Sequence, residues 1–249
     1  MEIVINGVKT HYQVLGDGKP FLILHGWGSD SQRWQTVAEE IAKSGYKVYV
    51  PDLPGFGESD PLTEAWDGNK YIAWIEEFLR ELDIKEFYLL GHSFGGALAC
   101  KTAIKHPQRV SKLFLVSCAL VRKKTNKKTV FKYMAKTVKP FSFMPWYPLL
   151  RKVIYKYIIR RSDYTFVDGV MKQTYLNVIA EDLSQFSGFI KVPTIIIWGD
   201  KDKFTPIEDA HFLNQRIKNS KLIFIEGAGH DLNRKQPEIL SEKVLGNIN

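Results

Sequence analysis

The chain has 249 residues, 45% hydrophobic and 25% charged, with a formal net charge of +8. This is the profile of one large soluble globular domain, or of a domain carrying an insertion. No uninterrupted apolar stretch approaches the roughly 18 residues of a membrane span, and two cysteines, Cys100 and Cys118, are too few for a disulfide framework.

The opening residues, Met1-Glu2-Ile3-Val4-Ile5, alternate towards a strand and carry no basic or apolar leader. The expected location is therefore cytoplasmic. Ile3–Ile5 and Lys9–Val14 read as strands around Asn6-Gly7, a hairpin turn signal. Pro20–Leu24 is a continuous apolar run and so a buried strand, ending at His25-Gly26-Trp27-Gly28. Trp34, Val37 and Ile41 recur at helical spacing, with Asp30 or Ser31 as cap and Gly45 as stop. The strand Tyr46–Val50 leads into a Pro/Gly-rich loop, Pro51 to Ser59, and Ile72, Ile75, Phe78, Leu79 and Leu82 make an amphipathic helix.

The apolar run Phe87–Leu90 then stops at Gly91-His92-Ser93-Phe94-Gly95-Gly96 before a small-residue helix, and Leu113–Val116 is the next strand. From Ala119 to about Ile190 no strand of this kind occurs. After Pro193 the alternation resumes with the strand Thr194–Trp198, a helix from Pro206, the strand Lys221–Ile225 and a helix from Pro237. Thr205 with Glu208 three residues on has the form of a capping box. Cys100 falls in an expected helix and Cys118 in an expected strand, both as small apolar residues. Strands apolar on both faces, alternating with helices, predict a mostly parallel sheet covered on both sides.

The expected organisation is an α/β core of residues 1–118 and 191–249, interrupted by a helical cap at 119–190. Residues 119–162 carry thirteen Lys and Arg and no Asp or Glu, so the rest of the chain sums to −5. Lys128, Lys132, Lys136 and Lys139 fall on one helical face, with Val130, Phe131, Met134 and Val138 opposite. Phe143, Met144, Trp146 and Tyr147 lie in an aromatic, proline-broken turn and are candidates for an acyl pocket.

Gly-x-Ser-x-Gly between a strand and a helix places Ser93 on a tight, strained turn, where Gly91 and Gly95 avoid Cβ clashes. A serine hydroxyl needs a base and a group orienting that base. Of six histidines, His92 adjoins the serine and points away from it, and His25 ties its own loop together. His11, His106 and His211 lie in strand or surface-helix contexts. His230 follows the last apolar strand in the loop Gly227-Ala228-Gly229-His230, at the sheet end where ligands collect, and is the expected base. Asp202 is the expected acid and Asp200 a turn former; the other place to look, after Leu113–Val116, holds no carboxylate. The backbone N–H groups of Trp27 and Phe94 are the expected oxyanion donors.

Five pieces of the chain resemble the α/β-hydrolase superfamily in the right order. They are His25-Gly26-Trp27-Gly28, Asp52 to Ser59, Gly91 to Gly96, Trp198-Gly199-Asp200-Lys201-Asp202, and Gly229-His230. The resemblance implies an eight-stranded α/β-hydrolase fold, Ser93 as nucleophile, Asp202 as acid, His230 as base, and Trp27 and Phe94 as oxyanion donors. It implies no chemistry for the Asp52–Ser59 loop. Serine at position 93 argues against the aspartate-dependent epoxide hydrolases and haloalkane dehalogenases.

The expected function is hydrolysis of carboxylic esters of small or medium acyl chains through an acyl-enzyme. The alternatives are a C–C bond hydrolase of meta-cleavage-product type, a thioesterase or methylesterase acting on an acidic acyl carrier, and a receptor-like fold without catalysis. No metal and no cofactor are expected, because the sequence has neither metal-type Cys/His spacing nor a Gly-x-Gly-x-x-Gly after its first strand. The expected partner is a small-molecule ester, with no nucleic acid. The basic cap adds an anionic membrane surface, approached peripherally, or an acidic carrier.

Overall fold

The structure is a computed structural model that describes residues 1–121 and 169–248. Most of the basic segment, and with it the pocket candidates Phe143, Met144, Trp146 and Tyr147, lies outside the described residues.

Eight strands form one sheet: β1 (Glu2–Ile5), β2 (Val8–Leu15), β3 (Lys19–Leu24), β4 (Tyr46–Pro51), β5 (Phe87–His92), β6 (Val110–Val116), β7 (Thr194–Gly199) and β8 (Ser220–Ile225), in the order β1-β2-β4-β3-β5-β6-β7-β8. β1 and β2 pair antiparallel through a turn in which Asn6 and Gly7 both have positive φ (50° and 79°), as a two-residue hairpin requires. β2 also pairs antiparallel with β4, and every pairing from β4 through β3, β5, β6 and β7 to β8 is parallel.

The apolar strands divide their side chains between two cores, which is why they show no polar alternation. Leu22, Leu24, Leu89, Leu113, Leu115, Ile196 and Trp198 belong to one buried cluster; Phe21, Ile23, Leu90, Phe114, Val116, Ile195 and Ile197 belong to the other. Helices α2 (Gly68–Glu81), α3 (Phe94–Lys105) and α5 (Ile207–Arg216) cover the first face; α1 (Gln35–Lys43) and α7 (Pro237–Leu245) cover the second.

Helix α4 (Gly169–Ala180) and a 3₁₀ turn, Ser184–Phe189, precede β7. α4 docks through polar bonds to the Trp66 backbone, whose N–H donates to Thr174 Oγ1 (3.0 Å) and whose carbonyl accepts from Asn177 Nδ2 (3.2 Å). Its Tyr175 ring meets Trp27 at 5.1 Å.

One local expectation is narrowed and two need correction. A 3₁₀ turn, Gln32–Trp34, precedes α1, and it is Asp30, not Ser31, whose carboxylate accepts a backbone N–H there, from Arg33 at 2.9 Å. Cys118 lies two residues beyond the end of β6 and is buried against Gly96. Thr205 does not cap α5: Pro206, whose side chain has no polar group, occupies the cap position, and the Thr205 hydroxyl is bonded to Asp202 instead.

Candidate active site

The site is built on the C-terminal ends of the central parallel strands. β5 ends at His92 and α3 begins at Phe94, so Ser93 alone makes the turn, at φ 51° and ψ −114°. A non-glycine residue at positive φ is strained, and the fold holds it there through the Ser93 N–H bond to the Val116 carbonyl (3.0 Å). The Ser93 carbonyl in turn accepts from Gly96, Ala97 and Ala119.

Glycine is required beside this turn for close approach, not for its φ. A Cβ on Gly95 would press on the Leu24 and His25 carbonyl oxygens, which are backbone and cannot yield. Gly95→Ala is therefore expected to cost roughly 1–3 kcal/mol by overpacking, read as a lower melting temperature; an unchanged melting temperature would refute the close contact.

The expected acid and base lie in the loops after β7 and β8. Asp202 follows β7 and is buried, while Asp200 is exposed in the turn before it. The Asp202 Oδ1 accepts the backbone N–H groups of Phe204 (2.8 Å) and Thr205 (3.0 Å), and Oδ2 faces His230 Nδ1 at 2.8 Å. Burial pushes the carboxyl pKa up, but the bonds from His230 and Thr205 outweigh it and hold the pKa down at about 2. Asp202 is thus a carboxylate at neutral pH, and it fixes the imidazole with Nδ1 towards itself, leaving Nε2 for the cavity.

That cavity, about 300 Å³, is lined by Trp27, His92, Ser93, Tyr175, Phe204 and His230 among others. The structure therefore brings Ser93, Asp202 and His230 to one end of the sheet, although no hydrogen bond joins the Ser93 hydroxyl to His230 among the described residues. Trp27 lies at the cavity wall and Phe94 at the first position of α3, their rings 5.5 Å apart. A Cβ on Gly26 would stand 3.3 Å from Ser93 Cβ and 2.9 Å from His92 Nδ1, so the β3 loop carrying the Trp27 N–H passes directly against the serine turn. A larger apolar cavity of about 480 Å³, lined by Ile72, Cys100, Ile104, Leu120 and Phe186, holds none of these groups.

His92 and His25 act structurally. Buried His92 points its Nε2 at the His230 carbonyl (3.0 Å), and burial lowers its pKa to about 3. It is a neutral donor that pins the His230 loop to the Ser93 turn. His25 Nε2 accepts the Leu53 N–H (2.9 Å), and Asp52 receives the N–H groups of Ser31 and Glu58, so the Asp52–Ser59 loop is a structural brace. Two contributors escape sequence reasoning: the His92 bond spans 138 positions, and the Thr205 hydroxyl is hidden by a local capping pattern. The short helix α6 (Leu232–Lys235), which starts two residues after His230, is not legible either; its Asn233 Nδ2 donates to the Arg33 carbonyl at 3.0 Å and anchors the loop from the far side.

Fold and site together define a hydrolase of α/β type. The chain belongs to the alpha/beta hydrolase fold family, whose model matches residues 19–141 and 160–234. It is 28% identical to the AB hydrolase superfamily protein YisY of Bacillus subtilis over 95% of this chain and 94% of that protein. It is 27% identical to the 2-hydroxy-6-oxononadienedioate/2-hydroxy-6-oxononatrienedioate hydrolase of Cupriavidus pinatubonensis, over 89% and 84%. Among solved structures, the esterase EaEST of Exiguobacterium antarcticum superposes with a TM-score of 0.78 at 24% identity, over 100% of this chain and 98% of that one, which shows a shared fold.

Proposed function

We propose that the protein is a serine hydrolase of carboxylic esters with small or medium acyl groups. The observation that carries this reading is the buried Asp202 carboxylate bonded to His230 Nδ1 beside a cavity that also holds Ser93 on a strained turn. In this reading His230 Nε2 takes the Ser93 proton as Oγ attacks the ester carbonyl. The Trp27 and Phe94 N–H groups receive the developing oxyanion. His230 then returns the proton to the departing alcohol, and water, deprotonated by the same imidazole, releases the acid. A cavity of about 300 Å³ suits a short to medium acyl chain.

A fluorophosphonate ester tests the assignment. It is expected to add to one residue per chain, the peptide carrying Ser93, and to abolish turnover of p-nitrophenyl esters in parallel. Labelling elsewhere, or turnover by fully labelled protein, would overturn it. A second reading, a C–C hydrolase of meta-cleavage-product type, is favoured by the similarity to the Cupriavidus hydrolase. A vinylogous diketone acid turned over faster than every ester in the panel would select it.

A further inference from the structure

The Thr205 hydroxyl has no role in the steps above, yet it sits inside the acid–base pair. Its Oγ1 lies 2.8 Å from Asp202 Oδ2, 3.3 Å from His230 Nδ1 and 3.3 Å from the Ser117 carbonyl. A hydroxyl has one proton, and the shortest contact is also the charged one, so the proton goes to Oδ2. The residue cannot drift from this position. Its N–H donates to Asp202 Oδ1 at 3.0 Å, and its carbonyl accepts from the fully buried Trp198 Nε1 at 2.8 Å. Its branched Cβ stiffens χ1 further.

We infer that Thr205 is a positioning residue of the reaction: its hydroxyl shares the Asp202 oxygen that faces His230, fixing the carboxylate and limiting how much negative charge reaches the imidazole. The inference rests on the serine-hydrolase reading given above. The other groups around His230 are His92, ring to ring at 4.9 Å, Phe204 at 5.2 Å, and Arg33, Asp231 and Arg234 around the cavity. None of these reaches Asp202 Oδ2, where the Thr205 hydroxyl and His230 are the two hydrogen-bond donors among the described residues.

Thr205→Val keeps the shape and removes the hydroxyl. The carboxylate then directs its full charge at His230 and favours the imidazolium, so the acid limb of the kcat/KM profile moves to higher pH. At the plateau kcat is expected to fall about tenfold, the scale of one hydrogen bond to a charged group, with KM little changed. Thr205→Ser, which restores the hydroxyl, is expected to recover both the rate and the profile. Equal damage in both variants, a lower kcat with an unmoved acid limb, or no change in either would overturn the inference. Thr205→Ala serves as the second hydroxyl-free variant if Thr205→Val does not fold. Fluorophosphonate labelling of the wild-type protein separates the two failures: labelled Ser93 with an unmoved profile removes only the role of Thr205, whereas an unlabelled Ser93 removes the hydrolase reading itself.

Discussion

Ester turnover by Ser93→Ala is expected to fall at least ~10³-fold in kcat, the loss that follows removal of a serine nucleophile, with KM little changed. The size of the effect follows from the division of labour in the proposed mechanism. Binding in the cavity and the backbone oxyanion donors survive the substitution, so a residual rate above the uncatalysed one remains. The covalent route does not survive, because His230 has no hydroxyl left to deprotonate. Turnover of Ser93→Ala within tenfold of wild type would end the assignment.

The same position supplies an independent readout. Ser93 is held at φ 51°, where a side chain costs of order 1–3 kcal/mol. Alanine shares that strain and glycine does not. Ser93→Gly is therefore expected to melt above Ser93→Ala, although both lack the hydroxyl. A strained residue that becomes more stable when its function is removed marks a backbone shaped for chemistry rather than for folding.

The parts of this architecture that sequence discloses are those in which one local pattern has one physical outcome. Runs such as Phe21–Leu24 and Leu113–Val116 are apolar at every position because successive side chains enter opposite cores, and only a doubly covered sheet buries both. Gly91 and Gly95 bracket Ser93 because the turn leaves no room for Cβ atoms, and that requirement is written in five consecutive residues. Asp202 and His230 could be singled out because each lies in the short loop after a strand whose end is fixed by the sheet. What sequence conceals is competition between local and distant partners. Thr205-Pro206-Ile207-Glu208 satisfies a helix-capping pattern, but the hydroxyl donates to the buried Asp202 carboxylate 2.8 Å away, a charged acceptor, and that bond turns it inward, away from the helix N-terminus. His92 looks like a spectator because its neighbour takes the motif; its bond to the His230 carbonyl exists only once the loop after β8 folds back across the end of the sheet to β5, past β6 and β7.

That concealed histidine leads to the other large effect, a loss of stability in mild acid. Burial, helped by the nearby His230 imidazole, holds His92 at a pKa of about 3, far below its ordinary 6.5, and burial lowers His25 as well. A histidine with a depressed folded-state pKa refuses a proton that the unfolded chain accepts. Stability is therefore full above about pH 6.5 and declines as pH falls towards the folded-state value. For His92 alone the loss across that window is on the order of 3–5 kcal/mol, and His25 adds to it with the same sign. Asp202 contributes lower down: its carboxylate pKa, depressed to about 2 from 3.8, gives stability that is present above about pH 4 and lost as pH falls through about 2. Since a domain typically has only about 5–15 kcal/mol in hand, the two histidines are expected to unfold it before Asp202 titrates. Urea unfolding at a series of pH values between about 7 and 4.5 reads the slope directly. His92→Gln keeps an N–H donor for the His230 carbonyl and removes the titrating ring, so its stability is expected to fall less steeply by about 1.4 kcal/mol per pH unit, the worth of one proton. Equal slopes for the two proteins would show that His92 takes up its proton without unfolding, and that the bond pinning the His230 loop to the Ser93 turn does not depend on a neutral imidazole.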